Sequence, residues 1–243
     1  MNILVTGASK GIGKVIAEYL LNCHSERSEE SHNVYVTARN EGLLKQVKCS
    51  DYFICDLANE NDLIKLGDFI EEKQIDVLIN NAGEYIYSSV DGVEMEKLNH
   101  ILDVNIKAPI YLMSRVVPNM KNKKFGRVVN IGSISGVMGE ANACLYSATK
   151  AGLIGLTKST ALELAEFGIT VNTINPGWVD TELGNASIDD SEFSKEEILD
   201  CIPQKRFVSP DEIAGMVEYL ISDKAKGVTG QSINLCAGLS VGI

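Results

Sequence analysis

Tyr146 and Lys150 stand four residues apart in Tyr-Ser-Ala-Thr-Lys, and Ser133 lies thirteen residues upstream of the tyrosine. On a helix that separation is about one turn, a rise of roughly 6 Å, so the phenol and the ammonium share one face. A free tyrosine titrates near ~10, and a fixed cation beside it favours phenolate and lowers that value. A hydroxyl such as Ser133, delivered to the same point, can hold a carbonyl oxygen there. The chemistry suited to such a set is acid–base work on a C–O group. Tyr-x-x-x-Lys alone recurs by chance, so the elements that would position it decide its meaning.

Those elements alternate. Short β-rich runs at Asn2–Thr6, Asn33–Thr37, Tyr52–Cys55, Val77–Asn80, Arg127–Ile131, Thr170–Ile174 and Ser232–Leu235 are separated by helical periodicity, for example over Gly13–Leu21, Asp62–Glu72, Leu145–Glu166 and Pro210–Ile221. Strand–helix alternation predicts an α/β fold: a doubly wound sheet of about seven parallel strands with helices on both faces. No Pro/Gly/Ser-rich linker divides residues 1–243, which read as a single domain. The polar segment 23–32 reads as an insertion between the first helix and the second strand, either a helix extension or a loose loop. That connection lies at the strands' N-terminal end, opposite the side where ligands bind.

Several strand ends carry binding chemistry. Thr6, Gly7, Ala8, Ser9, Lys10, Gly11, Ile12 and Gly13 follow the first strand and open the first helix. Glycines there permit a tight turn and let phosphate approach backbone N–H groups at a helix N-terminus. The spacing is Gly-x-x-x-Gly-x-Gly rather than Gly-x-Gly-x-x-Gly, and strand, glycines and helix in that order still predict a dinucleotide site. The second strand ends Val36, Thr37, Ala38, Arg39, with no acidic residue to accept from a ribose 2′-hydroxyl. Arg39 offers a planar fork for a 2′-phosphate and Lys10 a second charge, which predicts NADP(H) rather than NAD. Asp56 and Leu57 close the third strand and could meet an adenine, although Asp after a strand is often only a cap. Asn81, Ala82 and Gly83 close the fourth, where small residues let a cofactor lie close and amides bond to it.

Composition narrows the classes. The chain carries a net charge of −11 and no basic stripe, which argues against nucleic-acid binding. Its one basic run, Lys121, Lys123, Lys124 and Arg127, reads as a solvated turn. Six cysteines without Cys-x-x-Cys spacing and three histidines suggest neither a disulfide framework nor a metal site. Cys144, beside the tyrosine, reads as a small hydrophobe before a redox-sensitive thiol. No apolar stretch approaches the ~20 residues needed to span a bilayer, and no signal peptide is visible, so a cytoplasmic protein is expected.

In order and spacing, Thr6–Gly13, Asn80–Gly83, Asn105, Ser133, Tyr146, Lys150 and Pro176-Gly177 resemble the short-chain dehydrogenase/reductase superfamily over nearly the whole chain. The resemblance implies that Tyr146 donates a proton to a substrate carbonyl oxygen and that Ser133 orients and polarises that carbonyl. It implies that Lys150 lowers the tyrosine pKa and holds the nicotinamide ribose, and that Asn105 kinks its helix and anchors a water behind Lys150. Pro176, Gly177, Val179 and Thr181 would meet the nicotinamide end, and residues 182–206 would form a variable substrate lid. Within the superfamily the chain looks most like 3-oxoacyl-[acyl-carrier-protein] reductases, which implies a 3-oxoacyl thioester substrate and a homotetramer. Arg127 matches a basic position that would meet an acyl carrier protein, while the companion position is Phe167. A secondary-alcohol or sugar dehydrogenase and a non-catalytic NADP-binding protein are the alternatives.

Overall fold

The second residue of β1 faces one way and the third the other, and that alternation builds the molecule. The computed structural model describes residues 1–27, 32–182, 184, 188 and 194–241. In β1 (Asn2–Thr6), Ile3 and Val5 enter one core with Ile16, Leu20, Val36, Ile213 and Leu220. Leu4, between them, enters a second core with Leu66, Ile70, Leu78, Leu112, Val116 and Val128. A strand apolar on both sides needs helices on both faces. Helices α1 (Gly11–Arg27) and α9 (Pro210–Ile221) cover the first face; α3 (Glu60–Glu72), α5 (Ala108–Lys123) and α7 (Cys144–Leu164) cover the second.

The remaining strands are β2 (Asn33–Ala38), β3 (Asp51–Ile54), β4 (Val77–Asn80), β5 (Gly126–Ile131), β6 (Ile169–Pro176) and β7 (Ser232–Leu235). All pair in parallel, in the order β3-β2-β1-β4-β5-β6-β7. The order reverses at β1, which pairs with both β2 and β4. Diverging connections open a crevice beyond the strands' C-terminal ends at such a switch point. The expected class, strand number and strand positions therefore hold, with boundaries shifted by one or two residues. Short helices α2 (Glu41–Leu44), α4 (Met95–Leu102), α6 (Ser135–Met138) and α8 (Lys195–Cys201) complete the described elements used below.

The helix-extension reading of the polar segment holds as far as Arg27, where α1 ends. Residues 28–31 lie outside the described residues, as do 183, 185–187 and 189–193 of the expected lid. Among the described residues no helix is long and apolar enough to cross a membrane, and no group of three His, Cys, Asp or Glu could hold a metal.

The glycine turn is packed tightly against the end of β4. A methyl group on Gly13 would lie 2.3 Å from Asn81 Nδ2 and 2.6 Å from the Gly7 carbonyl. Neither neighbour is the loose end of a flexible chain, because the Asn81 amide is itself fixed by hydrogen bonds to Thr6 O and Gly7 O. Gly13→Ala is expected to destabilise the fold by about 1–3 kcal/mol, the usual range for forced overpacking. Thermal unfolding checks this, and an unchanged melting temperature would refute it.

Candidate active site

Tyr146 and Lys150 sit one turn apart on α7. That helix is fixed to the sheet by a buried polar chain: Asn80 Nδ2 donates to Asn130 Oδ1 (2.9 Å), Asn130 Nδ2 to Thr157 Oγ1 (2.8 Å), and Thr157 meets Thr173 at 2.6 Å. Bonds of this kind, running from β4 through β5 to α7 and β6, set helix register more sharply than apolar contact does. Ser133 stands just past the end of β5 and is buried, its oxygen accepting the Ser135 N–H at 3.1 Å. Lys150 is 3% exposed, and its Nζ donates to the Ile131 carbonyl at 2.9 Å and lies 5.5 Å from the Tyr146 ring centroid.

Asn105 lies in a π-helical turn, Asp103–Lys107, between α4 and α5. The wider turn interrupts the regular helix at this residue. Its amide donates to Glu84 O (2.9 Å) and Thr149 Oγ1 (3.1 Å), and its oxygen accepts the Glu84 N–H (2.9 Å). Asn105 is thus the one expected catalytic residue outside the cleft wall, placed behind it.

The cleft itself has a volume of about 1000 Å³. Ser133, Tyr146 and Lys150 line it together with Gly7, Ser9, Lys10, Gly11, Ile12, Gly13, Thr37, Arg39, Asp56, Leu57, Asn81, Ala82, Gly83, Pro176, Gly177, Val179 and Thr181. Three local features suit a dinucleotide. Gly11 has φ +56°, and a methyl group there would meet nothing nearer than Thr181 at 3.8 Å, so the start of α1 has open space beside it. The Thr37 hydroxyl is buried without a hydrogen-bond partner at the end of β2. Arg39 is exposed at the same end.

The structure adds the ionisation and the partners of these groups. Burial pushes the Tyr146 phenol up to about 12, with Ser133 pulling it down and Glu140 pushing it further up. Burial also brings the Lys150 ammonium down to about 8. Arg39 forms an ion pair with Glu84 (2.9 Å) and Lys10 one with Glu182 (2.6 Å), so both cations already have carboxylate partners. Both N–H groups of the Asn81 amide are committed to Thr6 and Gly7, so this residue braces the glycine turn and has no side-chain donor left for a ligand. Asp56 caps its own turn through Ala58 N–H (3.0 Å) while still lining the cleft.

Arg127 is not a solvated cation. It is 3% exposed, donates to the Gly126 and Gly168 carbonyls, and stacks over Phe125 at 4.4 Å. Nη1 serves those carbonyls, Nη2 lies 3.5 Å from Asp223 and Nε is buried without a partner, so the guanidinium is not presented at the surface to a carrier protein. In the same run, Lys123 pairs with Asp76 at 2.6 Å and Lys121 with Glu163 at 3.7 Å. Cys144 opens α7, half-buried and outside the cleft lining.

Residues not anticipated from the sequence also line the cleft: Glu84, Tyr85, Ser135, Glu140 and Trp178. Glu84 accepts from His100 Nε2 at 2.6 Å as well as from Arg39. The available signal was position, because Glu140 lies on the segment joining Ser133 to Tyr146 and Glu84 directly follows Gly83.

Residues 7–240 match the family described as enoyl-(acyl carrier protein) reductase. The chain is 36% identical to a 3-oxoacyl-[acyl-carrier-protein] reductase of Staphylococcus epidermidis, over 97% of each chain. Among solved structures, a variant of actinorhodin polyketide ketoreductase with NADPH superposes at a TM-score of 0.89 with 34% identity, covering 99% of this chain and 97% of that one. An NADPH-dependent reductase involved in bacilysin biosynthesis superposes at 0.90 with 28% identity, covering 100% and 99%.

Proposed function

The chain belongs to the short-chain dehydrogenase/reductase family, and from that premise we propose that it reduces the ketone of a 3-oxoacyl thioester with NADPH. The observation that carries this reading is one cleft holding Ser133, Tyr146 and Lys150 together with the glycine turn and Arg39.

The N-terminal turn of α1 would hold the pyrophosphate, Arg39 the 2′-phosphate, Asp56 and Leu57 the adenine, and Pro176, Gly177, Val179 and Thr181 the nicotinamide end. When bound, NADPH supplies the hydride that reduces the carbonyl carbon. The chain's own residues handle the oxygen. Ser133 orients it, and Tyr146 donates the proton that completes the hydroxyl. With its phenol held up near 12, Tyr146 carries that proton throughout the neutral range. Lys150 holds a positive charge against the phenolate left behind, and Asn105 supports the backbone of Glu84 beside it. Trp178 and Phe207, stacked with centroids 6.3 Å apart, and the Val179–Val208 bridge brace the substrate side next to the proposed lid over 182–206.

A carrier-linked thioester and an acyl carrier protein partner are supported by the relatives rather than by Arg127. We include a homotetramer and a cytoplasmic setting in the proposal. The apolar Leu102, Ile110 and Leu162, exposed on α4, α5 and α7, suit an assembly of copies, which light scattering tests.

The deciding experiment follows NADPH consumption with acetoacetyl thioesters on carrier protein and on coenzyme A, with a crotonyl thioester and a sugar alcohol alongside. Turnover of the acetoacetyl compounds and none of the crotonyl compound is expected, because Ser133 and Tyr146 converge on a single oxygen. No acetoacetyl turnover, with oxidation of the sugar alcohol instead, would overturn the substrate assignment.

A further inference from the structure

Glu140 is the terminus of a hydrogen-bond chain that begins at the reaction centre. Ser133 Oγ donates to Ser135 Oγ (3.1 Å), and Ser135 Oγ donates to Glu140 Oε2 (2.6 Å). The other carboxylate oxygen accepts from the Tyr85 hydroxyl at 2.7 Å, and the Tyr85 ring stands edge-on to the Tyr146 ring at 5.1 Å and 73°. An ionised carboxylate only accepts, so both hydroxyls must point their protons at it. Ser135 then has no proton left for any other partner, and its lone pairs face Ser133. Ser133 gives its own proton to Ser135 in this arrangement, and to hold a carbonyl oxygen it turns that proton to the substrate while still accepting the Ser135 N–H at 3.1 Å.

We propose that Glu140 is a positioning residue of this centre: a single carboxylate, bridging Ser135 and Tyr85, holds the hydroxyls of Ser133 and Tyr146 in register through their immediate neighbours. The proposal deepens the reading above and rests on the roles given there to Ser133 and Tyr146.

The geometry explains why a carboxylate is used rather than an amide. Two donors converge on two oxygens of one group, and Gln could accept only at its single oxygen. Charge-assisted bonds of this length are also roughly twice as strong as neutral ones. The groups that face the pair are Ser133, Tyr85 and Lys150 around Tyr146, and Ser135 and Tyr85 around Glu140, with Tyr87 beyond Tyr85. Glu140 places a negative charge near the phenol, and it acts in the direction that keeps the phenol protonated. Its removal therefore has a signature that loss of packing would not produce.

Two readouts test the proposal on the intact chain. In steady-state reduction, Glu140→Gln and Ser135→Ala should each lower kcat by about ten- to a hundredfold with little change in KM, the scale expected when reacting groups lose alignment. The double variant should be no worse than the poorer single one, because both cut the same chain. The second readout needs no substrate. The tyrosinate absorbance difference between chains with and without Tyr146→Phe, recorded with NADP⁺ bound, should titrate at lower pH in the Glu140→Gln background, since a like charge has been removed. Coincident titration curves, or losses that add in the double variant, overturn the proposal. Absence of thioester turnover in the wild type with a shifted tyrosinate curve would instead count against the substrate assignment and leave Glu140 in place.

Discussion

Tyr146→Phe is expected to reduce the rate of NADPH-dependent carbonyl reduction by about 10²–10⁴-fold, the usual contribution of a positioned proton donor. NADPH affinity should be unchanged and the melting temperature preserved. The reason is that phenylalanine keeps the ring that packs edge-on to Tyr85 and under Lys150, and removes only the hydroxyl. Initial rates, cofactor titration and thermal unfolding on the same preparation separate the effects, and a variant within a few-fold of wild type would remove Tyr146 from the mechanism. The wild-type rate carries a second mark of the site. Lys150, brought down to about 8 by burial, is an ammonium below that pH and loses its charge as pH rises through it. Reduction should therefore decline above about pH 8. The decline is not unfolding by the same group: its pKa is lower folded than in the free side chain, near 10.5, so its loss of a proton makes the folded state relatively more stable as pH rises between the two values.

Arg39→Ala is expected to lower kcat/KM for NADPH by about ten- to a hundredfold while leaving NADH nearly unaffected, because a charge-assisted contact contributes about 1.5–3 kcal/mol. The existing ion pair with Glu84 does not stand in the way. Arg39 is largely exposed, and pairs of that kind contribute about 0–1 kcal/mol. A dianionic phosphate can replace the Glu84 carboxylate as partner at small cost, with His100 remaining on Glu84. Initial rates with both cofactors decide the matter, and an equal loss for NADPH and NADH would assign Arg39 a structural role instead.

Most of the fold was legible because its signals are local and periodic. The seven β-rich runs became the seven strands, and the inner strands β1, β4, β5 and β6 are buried on both faces, which calls for apolar residues at most positions. The cleft residues were legible because phosphate binding requires glycine at the strand–helix junction and proton transfer requires a phenol and an ammonium one turn apart. Arg127 was misjudged because a residue at the start of a strand shows nothing in sequence of which carbonyls lie beside it. Only the pairing of β5 with β6 brings the Gly168 carbonyl within reach of its guanidinium. Glu84 and Glu140 went unread for a related reason. A carboxylate on a loop reads as solvated until the loop is folded over a cleft.

The sequence by itself determined the alternating architecture, the dinucleotide turn and the presence of the Tyr146–Lys150 pair, because each depends on neighbours along the chain. The tertiary structure alone decided how those groups ionise and which partners they hold. Burial raised the phenol and lowered the ammonium, the reverse of what a charge pair in water would do. It also brought Glu140 to Ser135 and Tyr85, through the packing of the segment after β5 against the segment after β4. Desolvation and long-range contact are properties of the packed interior, and no spacing along the chain encodes them.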